Sequence, residues 1–116
     1  MKFSDLSELQ GGTDMSSQIT WNSDVNGVAI LRGKLLHIRM AGYGKTFANN
    51  TVVATLPSSM VPLSSYGGGW SVPAGNYGNT KSLCVSISPT YRTIAYVNGA
   101  AESMSSPWAD FFVDLE

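Results

Sequence analysis

Residues 25–41 read Val25-Asn26-Gly27-Val28-Ala29-Ile30-Leu31-Arg32-Gly33-Lys34-Leu35-Leu36-His37-Ile38-Arg39-Met40-Ala41, and this stretch decides the fold class. In its second half Leu36, Ile38 and Met40 alternate with His37 and Arg39. A period of two puts successive side chains on opposite faces of an extended chain, so one face belongs to a core and the other does not. Residues 25–32 are strand-like as well, and Arg32-Gly33-Lys34 predicts a tight turn between the two runs.

The pattern stays β on both sides of this hairpin. Residues 19–21 form a short strand before it. After a loop over 42–50, the β-branched run 51–56 is stopped by Pro57, and Pro57 and Pro62 force an extended, turn-rich crossing. Residues 64–80 combine Gly67, Gly68, Gly69, Gly75 and Gly78 with Tyr66, Trp70 and Tyr77. That is too Gly-rich for a central strand and too aromatic for a plain linker, so it reads as a long surface loop or a bulged pair of edge segments. Leu83, Val85 and Ile87 alternate with Ser82, Cys84 and Ser86. The strand 92–97 runs into Asn98-Gly99, the dipeptide of a type I′ hairpin, and 100–104 is expected to return alongside it. A final strand over 108–115 places Phe111, Val113 and Leu115 on one face. Seven or eight short strands at roughly ten-residue spacing predict an all-β antiparallel sandwich, jelly-roll-like.

Length and composition agree with one such domain. The chain has 116 residues, 43% of them hydrophobic and only 13% charged, so it can bury one core while hydroxyls and amides carry the surface. Helical spacing occurs only at Phe3, Leu6 and Leu9, and Gly11-Gly12 ends it. Residues 1–16 are expected to be a linker or the remnant of a fibre or neck, and residues 17–116 the domain. Asp5 and Glu8 stand where a signal peptide would need an apolar run, which predicts a soluble chain without an export signal or membrane insertion.

The chemistry available to these residues favours binding over catalysis. Seven basic against eight acidic residues, with no basic block, speak against nucleic acid as a partner. The single cysteine, Cys84, and single histidine, His37, supply neither a disulfide framework nor a His/Cys metal cluster, so no cofactor or metal is expected. Asp110 and Asp114 would be about 13 Å apart along a strand, too far for the paired carboxylates of a retaining glycosidase. No Gly-x-Ser-x-Gly elbow accompanies His37, although Ser86 is a conceivable nucleophile for it. Gly42-Tyr43-Gly44-Lys45-Thr46 lacks the spacing and the following helix of a phosphate loop. The chain is therefore read as a non-enzyme.

A saccharide needs flat aromatic rings for its C–H faces and amides or hydroxyls for its polar rim. Tyr66, Trp70, Asn76, Tyr77 and Asn79 gather such groups in one Gly-rich segment and are the carbohydrate-binding candidates; the alternative use of Trp70 and Tyr77 is to pin a long loop to the sandwich. Phe111 and Phe112 are adjacent, so in a strand their rings face opposite ways, which implies that both faces are covered. Phe112, Leu35 and Trp108 are accordingly expected at a contact between subunits, with Trp21 and Phe111 as core or contact aromatics.

The order of these features resembles the C-terminal head domains of bacteriophage tail-fibre and baseplate receptor-binding proteins. The resemblance lies in Trp21-Asn22 followed by the run 27–38, in Val53-Ala54-Thr55-Leu56-Pro57-Ser58-Ser59-Met60-Val61-Pro62, and in Ile94-Ala95-Tyr96-Val97-Asn98-Gly99 before a closing aromatic strand. It spans Trp21 to Leu115 and departs from the family at the Gly/aromatic insert after Pro62. No binding residue carries over by motif. The resemblance implies a homotrimer in the virion, at the tip of a tail appendage among other tail or baseplate proteins, adsorbing to host cell-surface polysaccharide. Phosphate on that polysaccharide would pair with Lys45, Lys81 or Arg92. Two other functions fit the same residues: a structural trimerisation or cap module of a fibre or baseplate that binds no sugar, and a carbohydrate-binding module of a secreted bacterial protein.

Overall fold

A computed structural model describes residues 12–64, 69–76, 83–99 and 102–116. Twelve strands follow one another in these segments: β1 (Thr13–Asp14), β2 (Thr20–Trp21), β3 (Asn26–Arg32), β4 (Leu35–Ala41), β5 (Thr46–Phe47), β6 (Thr51–Thr55), β7 (Trp70–Pro73), β8 (Gly75–Asn76), β9 (Leu83–Ser88), β10 (Thr93–Asn98), β11 (Met104–Ser105) and β12 (Pro107–Asp114). One five-stranded antiparallel sheet has the order β1-β3-β4-β12-β8 and a second the order β2-β6-β10-β9-β7, with β11 and β5 as a small separate pair. The chain is the all-β antiparallel sandwich that its alternation predicts.

The two inner faces make one core. Ala29, Leu36, Ile38 and Val113 come from the first sheet and Val85, Ile87, Ile94 and Tyr96 from the second, all without measurable exposure. The β3–β4 hairpin forms where expected, with Arg32 opposite Leu35, so Gly33 and Lys34 are its two-residue loop. Gly33 takes φ +63°, a conformation that suits the right-handed twist of the flanking strands and that a Cβ disfavours. In β6, Val53 is an extra residue: Ile94 faces Ala54 while the next residue, Ala95, faces Val52. This bulge turns both Val53 and Ala54 inward and leaves Val52 outside,.

Three local expectations need correction. The Asn98-Gly99 hairpin does not form, because both edges of β10 are already bonded, to β6 and to β9; a returning strand has no free edge to join. Of the residues expected to return, Ala100 and Ala101 lie outside the described residues, and Met104 instead begins β11, which pairs with β5, inside what the sequence suggests is a loop. The polar run after Gly12, read as linker, supplies the edge strand β1 and a 3-10 turn at Ser16–Gln18. Ser16 makes that turn structural, since its hydroxyl accepts from the Ala29 amide at 2.8 Å. By contrast, the described residues 69–76 of the Gly-rich segment give edge strands, β7 beside β9 and β8 beside β12, the second of the two forms expected of it. The N-terminal helical spacing at Phe3, Leu6 and Leu9 lies outside the described residues.

One core group is out of keeping with its surroundings. Tyr96 is fully buried against Phe47, ring centroids 5.6 Å apart, and its hydroxyl has no partner among the described residues. Burial raises the phenol's pKa well above its ordinary value of 10.0,.

Candidate functional site

The first sheet turns its apolar face inward, so the alternate residues of β3, β4 and β12 stand on its outer face. Register aligns them in rows: Trp108 beside Ala41 beside Asn26, then Asp110–Arg39–Val28, then Phe112–His37–Ile30, then Asp114–Leu35–Arg32. Trp108 is 48% exposed and Phe112 51%, far more than the core aromatics Phe111 and Phe47.

Charge is concentrated in the middle of this face. The Asp110 carboxylate receives the Arg39 Nε–H at 3.1 Å on one oxygen and is bonded to His37 Nε2 through the other. The His37 ring stacks on Phe112, centroids 4.3 Å apart and planes 20° from parallel. Asp110 thus holds two neighbouring side chains in place while the outer edge of the Arg39 guanidinium faces solvent. Between this cluster and Trp108 lies an open depression of about 360 Å³, walled by Asn26, Arg39, Ala41, Trp108 and Asp110. An exposed indole, a fixed carboxylate, a guanidinium and an amide around a shallow hollow are the donor, acceptor and apolar groups that a neutral or weakly anionic polyol needs.

The residues predicted from sequence fall differently. Phe112, Leu35 and Trp108, expected at a subunit contact, share this outer face and are all exposed in the single chain. Trp70 lies on β7 in the other sheet, half-buried and packed against the core. Asn76 pairs with Pro107 and therefore shares the inward side of β12, away from Trp108. Tyr66, Tyr77 and Asn79 lie outside the described residues, as does Lys81. Of the other phosphate-pairing candidates, Lys45 sits 3.8 Å from Asp24, and the Arg92 Nε–H is given to the Leu56 carbonyl at 3.2 Å. Arg39 and Asn26 were not singled out by sequence, and Asp110 was weighed only with Asp114 as a carboxylate pair. The signal for them was the alternation of β4 and β12, but the pairing of two strands some seventy residues apart is not written in either.

The catalytic pairing considered for His37 does not assemble. Ser86 alternates with buried Val85 and Ile87 on β9, so it stands on the outer face of the second sheet, with the core between it and His37. The Gly42–Thr46 segment is a turn in which the Gly42 carbonyl accepts the Lys45 amide at 3.0 Å, and it leads into β5, not a helix. Among the described residues no three His, Cys, Asp or Glu side chains come together as a metal site would require, and no helix is long and apolar enough to cross a membrane.

No protein-family model matches the chain, and no curated protein matches it by sequence. Among solved structures it is similar to the head domain of phage bIL170, a crystal structure reported in connection with the receptor-binding domains of lactococcal phages, with a TM-score of 0.53 and 17% identity over 85% of this chain and 96% of that one. This chain carries the fold of a phage receptor-binding head domain.

Proposed function

We propose that this domain is the receptor-binding head of a phage tail appendage and that it adsorbs to bacterial cell-surface saccharide through the outer face of its first sheet. The observation that carries the reading is Trp108, a large apolar ring left half in solvent beside the Arg39–Asp110 pair, on a fold shared with a phage head domain. A sugar ring laid on the indole would bring its hydroxyls to Asp110 and Asn26 and any phosphate to Arg39. The hollow is shallow and polar, so each site gains little net free energy after desolvation, and the grip comes from several sites acting together.

Multiplicity fits a homotrimer in the virion, joined to other tail or baseplate proteins. Phe112 and Leu35, at the far end of the face from Trp108, are the residues we assign to the contact between copies. The same two exposed side chains favour the second reading, a structural trimerisation module that binds no sugar. The readings separate on whole bacterial cells. The domain should co-sediment with susceptible cells, soluble cell-wall polysaccharide should compete, and Trp108→Ala should lower adsorption about tenfold or more. Adsorption unaffected by both the competitor and Trp108→Ala would contradict the saccharide reading.

A further inference from the structure

Three glycines of the sandwich lie under aromatic rings: Gly27 under Trp21, Gly42 under Phe47 and Gly75 under Trp108. Phe47 is buried and Trp21 packs against the core, so the first two seats are ordinary packing. The third carries the ring that faces solvent. A methyl group at Gly75 would stand 2.5 Å from Trp108 Cζ2, 2.8 Å from Cε2 and 3.0 Å from Cη2. These separations are well inside contact distance, so ring and methyl cannot coexist as placed. Gly75 has no positive φ, so the backbone does not require glycine; the ring does. Gly75 also faces Trp108 directly across the β8–β12 pair, the position from which an aromatic side chain covers a strand glycine.

We infer that Gly75 is a positioning residue for receptor recognition: by lacking a side chain it lets the indole of Trp108 lie down on the edge strand β8, which fixes the wall of the depression that faces Arg39 and Asp110. A methyl there lifts the ring and reshapes the hollow without touching the charged cluster. The seat is anchored from the other sheet as well, because β7 precedes β8 and the Ala74 amide between them donates to the Leu83 carbonyl at 3.0 Å. The role in recognition rests on the reading of Trp108 as the receptor-contacting ring; the coupling of Gly75 to that ring does not.

The two parts can be tested apart with Gly75→Ala, Trp108→Ala and the double variant. Gly75→Ala should lower the thermal midpoint by about 5 °C when Trp108 is present and change it by no more than about 1 °C when Trp108 is alanine. It should shift the Trp108 indole N–H resonance, assigned by its loss in Trp108→Phe, and leave those of Trp21 and Trp70 in place. Retention on immobilised bacterial cell-wall polysaccharide should fall about tenfold in Gly75→Ala, with no further loss in the double variant relative to Trp108→Ala. If Gly75→Ala alone does not fold, recovery of folding in the double variant is the expected rescue. Additive midpoints, or an unmoved Trp108 resonance, would overturn the coupling. Coupled midpoints with polysaccharide retention indifferent to Trp108→Ala would overturn the role in recognition and, with it, the saccharide reading, while leaving the ring seat intact.

Discussion

Two adjacent phenylalanines show how much a single position decides. Phe111 packs in the core and Phe112 lies half in solvent against His37, as the alternation of a strand requires. We predict that Phe111→Ala costs about 3–5 kcal/mol in chemical denaturation, the usual range for emptying a core aromatic site. Phe112→Ala should cost under about 1 kcal/mol in the isolated protomer. Equal costs would mean that Phe112 is buried in the species measured. Tyr96 gives the opposite kind of prediction. Its hydroxyl is buried without a partner among the described residues, so Tyr96→Phe removes an unsatisfied polar atom at almost no change in shape and should stabilise the fold by about 1 kcal/mol. The same burial raises the phenol's folded pKa above the unfolded one. Below pH about 10 the group is protonated in both states; above it the unfolded state releases a proton that the folded state keeps, so stability falls by roughly 1.4 kcal/mol per pH unit. Alkaline unfolding of the wild type and of Tyr96→Phe should therefore diverge above pH about 10, and parallel curves would show that the hydroxyl reaches solvent or a bound water. At this scale the sequence was readable for the core: Leu36, Ile38, Val85, Ile87 and Val113 all alternate and all point inward. Nothing in the alternation distinguishes an outer-face residue that meets a ligand from one that meets water, which is why Arg39 escaped notice and Asp110 was weighed only as a catalytic carboxylate.

Strands were legible where local alternation and turn chemistry agree, and illegible where distant pairing decides. The β3–β4 hairpin is the first kind: Gly33 alone carries its positive φ, and a Cβ there meets no atom within 4 Å. Gly33→Val should therefore cost about 1–3 kcal/mol from backbone strain alone, read as a lower denaturation midpoint with an unchanged slope. Lys34→Ala in the same loop should stay within about 0.5 kcal/mol, and equal costs for both would remove the turn conformation as the cause. Asn98-Gly99 is the second kind. The dipeptide permits a hairpin, but β10 is a central strand with β6 and β9 already on its edges, and an available turn cannot compete with two formed ladders. The Gly-rich segment was half legible: edge segments were among its expected forms, but their placement in different sheets was not, because neither has a run long enough to announce its partner.

For the whole molecule, the two sheets present outer faces of different character. On the second sheet the outward residues of β6, β7, β9 and β10 include Val52, Ser71, Ser86 and Ala95, aligned across the strands and uncharged. On the first, Trp108 and Phe112 flank the Asp110 cluster. A head that holds its copies together through Phe112 and Leu35 should sediment as a trimer, and Phe112→Asp with Leu35→Asp should yield a folded monomer by light scattering, because two buried like charges at each contact are not tolerated. A wild-type monomer at all accessible concentrations would remove the trimer from the account. The central claim is that the receptor meets the first sheet at Trp108, and the most direct measurement is an amide chemical-shift map recorded while oligosaccharide from a bacterial cell wall is titrated into the labelled domain. The account predicts perturbations clustered at Asn26, Arg39, Ala41, Trp108 and Asp110. Perturbations confined to Ser71, Ser86 and Thr93 on the second sheet would contradict it.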